Sequence, residues 1–110
     1  KASELVLNSI RPGMTGKEVD FIARDYIYKH GYEGCFGHGL GHSVGLQIHE
    51  RPAFSMRENI MIKENMVITV EPGIYLESKF GVRIEDVVQI TATGVRNLTS
   101  SPKEMIEISV

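Results

Sequence analysis

The chain has 110 residues, 42% of them hydrophobic and 24% charged, with a net charge of -2; this is the balance of one soluble globular domain, with no room for a second. The two signs of charge are interspersed with no basic patch, which argues against nucleic-acid binding, and no apolar run approaches the roughly 20 residues that span a bilayer. Cys35 is the only cysteine, so no internal disulfide can form, and no signal-like apolar run follows Lys1-Ala2-Ser3-Glu4-Leu5; a cytoplasmic protein with neither membrane nor nucleic acid among its partners is expected.

The first half reads as helical. Leu5, Val6 and Ile10 form a short apolar face that ends at the turn signal Arg11-Pro12-Gly13. Thr15-Gly16-Lys17-Glu18 has the form of a capping box, in which the Thr15 side chain and the Glu18 carboxylate satisfy each other's backbone amides. Val19, Ile22, Ala23, Tyr26 and Ile27 then recur at helical spacing, and Gly31 supplies a stop. Residues 34 to 49 change character. Gly34, Gly37, Gly39, Gly41 and Gly45 punctuate a run that also holds His38, His42 and His49, and neither helical nor strand periodicity describes it. Glycine at this density marks either a flexible loop or a backbone that must approach something closely. The histidines favour the second.

The second half reads as strands: Met66 to Val70, Ile74 to Leu76, and Val82 to Ile90 after a turn over Glu77 to Gly81. In the longest of these, Val82, Ile84, Val88 and Ile90 are expected on one face and Arg83 and Glu85 on the other, with a bulge near Asp86-Val87. Thr93-Gly94 turns the chain into a last strand, Val95 to Leu98. Helices first and strands later give an α+β class.

Three side chains in these patterns can carry chemistry. Glu71 sits within a strand-like stretch between Val70 and Pro72, Glu85 sits between Ile84 and Asp86, and His42 lies in the glycine-rich run. Carboxylates within a sheet need a cation or dense hydrogen bonding, and a neutral imidazole can serve the same cation. One histidine and two carboxylates suit zinc, manganese or cobalt. Each also has an ordinary reading: Glu85 as an ion-pair partner of Arg83, Glu71 on an edge strand, His42 as a structural histidine. Spacing alone does not bring the three together.

The run from Gly37 to Glu50 closely resembles the histidine motif of prolidases and aminopeptidases P, in the pita-bread-fold metallopeptidase family. Thr69-Val70-Glu71-Pro72-Gly73-Ile74-Tyr75 is similar to that family's first glutamate motif, and Gly81-Val82-Arg83-Ile84-Glu85-Asp86 to its second. The resemblance covers essentially the whole chain, and implies the C-terminal half of a pita-bread catalytic domain with helices packed on a curved antiparallel sheet. It implies His42, Glu71 and Glu85 as metal ligands, with Glu71 also the proton shuttle. It implies His38 and His49 as substrate-placing and intermediate-stabilising histidines, and Arg83 as the arginine that orients the acidic ligands. The implied reaction is hydrolysis before proline in short peptides with proline at the second position, by a water bridging two divalent ions (Mn, Co or Zn). Methionine aminopeptidases share the glutamate and histidine ligands, and some proteins of this fold are metal-free binding modules. Against the latter, every ligand position that the chain covers is intact.

The resemblance also implies two aspartate ligands from an upstream hairpin. Asp20, Asp25 and Asp86 are the only aspartates, and none is in such a hairpin. Residues 1–110 are therefore expected to be a partial catalytic domain that is inactive alone and holds at most one metal ion weakly. Self-association into a homo-oligomer is expected to cover the faces its missing half would leave open.

Overall fold

Two helices open the chain in a computed structural model that describes residues 1–109. Helix α1, Ala2–Ser9, turns Val6 inward and stops before Pro12, where Gly13 takes a left-handed φ of +92° that suits glycine. Helix α2, Gly16–Ile27, begins with the expected capping box: the Thr15 hydroxyl accepts from the Glu18 amide at 3.2 Å, and the Glu18 carboxylate accepts from the Thr15 amide at 2.7 Å. Those hydrogen bonds, the backbone one foremost, hold the Glu18 carboxyl below its ordinary pKa. Val19, Ala23 and Ile27 form the buried face of α2, and the chain leaves the helix through a wider turn, Tyr28–Tyr32, at Gly31 with φ +86°.

Seven strands follow: β1 Gly41–Ser43, β2 Glu50–Phe54, β3 Val67–Val70, β4 Gly73–Leu76, β5 Phe80–Arg83, β6 Asp86–Thr91 and β7 Gly94–Asn97. Five of them form an antiparallel sheet in the order β2-β1-β3-β6-β7, while β4 and β5 form a separate hairpin. The helices pack on one face of the large sheet, where Val6, Ile10, Val19, Ala23 and Ile27 meet Ile68, Val70, Val88 and Ile90 in one core. This is the expected α+β arrangement. No helix among the described residues is long and apolar enough to cross a membrane.

Three expectations are corrected. The glycine-rich run is not wholly irregular: β1 lies inside it and β2 follows directly, both too short and too rich in glycine or proline to show alternation. The run from Val82 to Ile90 is two strands in two different sheets, parted at Ile84-Glu85. Val82 and Ile84 are consequently exposed at 53% and 40%, while Val88 and Ile90 are fully buried. Alternation reports which residues share a face but not which sheet a strand joins, and here the hairpin takes the first half. No bulge occurs at Asp86-Val87, where β6 pairs regularly with β3; the register shift lies between His42 and Ser43.

Glu58 ties β2 to the start of α2. Its carboxylate accepts from Arg51 at 2.9 and 3.0 Å and from the amides of Ile60 and Ala53, and its carbonyl accepts from the Lys17 amide. The Arg51 hydrogen bonds, helped by those amides and opposed by burial, push the Glu58 carboxyl from 4.5 down to about 2. A depressed carboxylate stabilises the fold above its unfolded-state pKa, and that contribution is lost as pH falls through the folded-state value. The melting temperature is therefore expected to fall between pH 4.5 and pH 2. Glu58→Gln should flatten that part of the acid profile and cost about 1–3 kcal/mol at neutral pH, measured by circular dichroism melts; an unchanged acid profile would contradict the assignment.

Candidate functional site

Side chains alternate across a strand, so β3 presents Ile68 and Val70 to the helices and Thr69, followed by Glu71, to the opposite face. The register of β1 on β3 pairs Ser43 with Ile68, which leaves His42 on the same open face as Thr69 and Glu71. The approach of β1 is close. A Cβ on Gly41 would lie 1.9 Å from the Thr69 carbonyl oxygen, so only glycine permits this pairing.

The result is a tight polar junction. The Thr69 hydroxyl accepts from the His42 amide at 3.0 Å and donates to Glu71 Oε1 at 2.8 Å, and the Glu71 amide donates to the Leu40 carbonyl at 2.8 Å. His42 Nε2 stands 3.3 Å from Glu71 Oε1. His42 Nδ1 lies 3.1 Å from the Ser43 carbonyl, which can only accept, so Nδ1 carries a proton. In the neutral ring the Nε2 lone pair then faces a carboxylate. Two acceptors at that distance repel unless a proton or a metal cation lies between them.

The other expected residues surround this pair without all joining it. Arg83 Nε reaches Glu71 Oε2 at 3.6 Å and Glu85 Oε2 at 3.7 Å, so it stands between the two carboxylates. Its guanidinium is held above its ordinary pKa, first by the neighbouring Tyr75 hydroxyl and then by the charges of Glu71 and Glu85. Glu85 lies between strands with its side chain 43% exposed, not in a sheet core as its sequence position implied. The His49 ring is carried by the exposed loop between β1 and β2, edge-on to His42 with centroids 4.2 Å apart. His38 Nδ1 lies 2.7 Å from the Gly39 carbonyl and Nε2 lies 3.0 Å from the Tyr75 hydroxyl. Tyr75 thus meets His38, with its ring packed over Gly73 and Gly81 of the β4–β5 hairpin that also carries Arg83.

The donor chemistry of His42 and Glu71 fits a borderline divalent cation. The set is incomplete, however: no three His, Cys, Asp or Glu side chains among the described residues form a group that could hold a metal ion. The aspartates add nothing to it. Asp20 pairs with Arg24, Asp25 with Lys29, and Asp86 bonds Ser3, Asn97 and Lys103.

Thr69 and Tyr75 did not stand out in the sequence. For Thr69 the available signal was strand alternation, which puts residues 69 and 71 on one face; for Tyr75 it was the pair of glycines that leave room for its ring. Replacing Thr69 with Val would strand the half-buried His42 amide and release Glu71 Oε1. Thr69→Val is expected to lower unfolding stability by about 1–3 kcal/mol and Thr69→Ser by clearly less, in urea melts; equal losses would show that the hydroxyl has no such role.

The helix-covered antiparallel sheet is a fold that this chain shares with solved prolidases. Over 96% of this chain and 30% of the other, it superposes on the prolidase of Pyrococcus horikoshii with a TM-score of 0.92 and 47% identity. The chain belongs to metallopeptidase family M24, whose family model matches residues 1–92. Among curated relatives it is 50% identical over 105 residues to the uncharacterized peptidase YqhT of Bacillus subtilis, and 48% identical over 106 residues to the Xaa-Pro dipeptidase of Pyrococcus furiosus. Each match takes in 96% of this chain but only 30% of the relative. The chain thus spans about a third of the length of the proteins it resembles.

Proposed function

We propose that residues 1–110 are part of the catalytic domain of a metal-dependent peptidase, and that the whole protein cleaves the bond before proline in short peptides with proline at the second position. The observation that carries the reading is the His42 Nε2–Glu71 Oε1 approach of 3.3 Å, two acceptors held on β1 and just past the end of the adjacent β3. The 48% identity to an Xaa-Pro dipeptidase supports the substrate class.

His42, Glu71 and Glu85 are the residues that would hold divalent cations, two of them in the whole protein (Mn, Co or Zn), with further donors coming from outside these residues. Bound there, the cations supply Lewis acidity for water and the scissile carbonyl. Glu71, fixed by Thr69 on one oxygen and facing Arg83 with the other, takes a proton from the attacking water. It hands that proton to the prolyl nitrogen, which has no N–H in the peptide and departs only when protonated. His49, on its exposed loop beside His42, donates to the developing oxyanion. His38 helps to place the substrate, and Arg83 keeps both glutamates in orientation. Alone, the 110 residues are inactive and bind one ion at most. A cytoplasmic location and self-association belong to the same proposal, the latter supported by the exposed Leu46, Ile48, Phe80 and Val82.

The test is turnover by the whole protein with Mn²⁺ added. An Xaa-Pro dipeptide should be hydrolysed and its Xaa-Ala counterpart far less, and Glu71→Gln should lower kcat by about 10²–10⁴-fold. Preferential removal of N-terminal methionine would replace the prolyl reading with that of a methionine aminopeptidase. No turnover of any peptide would leave a binding module on the same fold.

A further inference from the structure

One buried ionic group lies outside the site and points at it. Asp20 and Arg24, one turn apart on α2, are 0% and 5% exposed. They form a two-pronged pair, Arg24 Nε to Asp20 Oδ2 at 2.7 Å and a second guanidinium nitrogen to Oδ1 at 3.0 Å. A buried ion pair is weak grounds for stability, because desolvation of both charges offsets their attraction. What distinguishes this one is where its remaining hydrogen bonds go. Arg24 donates to the carbonyls of Phe36 and His38, both at 2.7 Å, and Asp20 Oδ1 accepts from the Leu40 amide at 3.0 Å.

These three bonds fall on alternate residues of one segment, 36–40, which belongs to no strand. The pair does for this segment what a neighbouring strand would otherwise do. The Arg24 guanidinium also lies over the Phe36 ring at 4.3 Å, and that ring meets His38 edge-on at 5.0 Å. His38 is therefore fixed through its own carbonyl, through both flanking residues of the alternation, and by a ring contact. Its imidazole is delivered to the Tyr75 hydroxyl, with Nδ1–H committed to the Gly39 carbonyl.

We infer that the Asp20–Arg24 pair is a positioning device for His38, holding its ring in the Nδ1–H form so that Nε2 receives the Tyr75 hydroxyl. The geometry stands on its own; only its consequence for turnover rests on the reading of His38 as a substrate-placing residue.

The test is nitrogen NMR of the imidazole rings in the full chain, with Arg24→Lys as the variant. Lysine keeps a charge beside Asp20 but cannot serve that carboxylate twice and two carbonyls at once. Wild type is expected to show His38 as the Nδ1–H tautomer. Arg24→Lys should convert it to a mixture while far-UV circular dichroism and the tautomer of His30, bonded to the Tyr26 carbonyl, stay as they were. A His38 spectrum unchanged in a folded Arg24→Lys chain would overturn the inference. If Arg24→Lys does not fold, the neutral pair Asp20→Asn with Arg24→Gln is read in the same way, and loss of all structure there too would overturn it in favour of a purely structural role. In the whole protein the displaced ring should appear as a fall in kcat of up to about 10²-fold. A kcat loss without a tautomer change would defeat the positioning role and leave the peptidase reading standing. A tautomer change in a protein with no peptidase activity would do the reverse.

Discussion

The contact on which the site depends is the edge-to-edge meeting of β1 and β3 at Gly41 and Thr69. Because glycine lets the two backbones come together there, His42 and Glu71 arrive on the same side of the sheet, and the Thr69 hydroxyl joins the backbone of the first to the carboxylate of the second. The opposite side of the same two strands is apolar and carries the helices. One sheet therefore separates the work of folding from the work of the site: hydrophobic burial on one face sets the strand register, and the register sets the distance between two electron-pair donors on the other. Holding two acceptors close is costly unless something positive joins them, and that cost is what makes the face a candidate for chemistry.

Around this junction the polar groups form a connected series. Glu71 faces Arg83, Arg83 shares the β4–β5 hairpin with Tyr75, Tyr75 bonds His38, and the His38 segment hangs from Arg24 and Asp20 in the core. Each group is oriented by the next, so few of these side chains are free to turn independently. The hairpin that supplies Tyr75 and Arg83 stands apart from the main sheet, and its glycines at 73 and 81 give the tyrosine ring its place.

Much of this was legible in the amino-acid sequence, and the divide between what was and what was not is physical. The Thr15–Glu18 capping box and the inward face of α2 are local, and short-range spacing reveals them. His38, His42, His49, Glu71, Arg83 and Glu85 were legible as motifs, which named the residues without giving their distances. Alternation failed at Val82 and Ile84, because a strand that leaves one sheet for a hairpin keeps its period while losing its cover. Strands β1 and β2 were hidden by glycine and proline in segments too short to show a pattern. Asp20 and Arg24 fall one turn apart, beside Val19 and Ala23 on the inward face, and that placement was the available sign that two charges point into the core.

The claim that His42 and Glu71 are paired to share a cation is tested most directly by calorimetric titration of residues 1–110 with Mn²⁺. The account predicts binding of a single equivalent, weak because the donor set is partial, and its loss in both Glu71→Gln and His42→Gln while the fold is retained. Binding that survives both substitutions, or no binding to the unsubstituted chain, would contradict it.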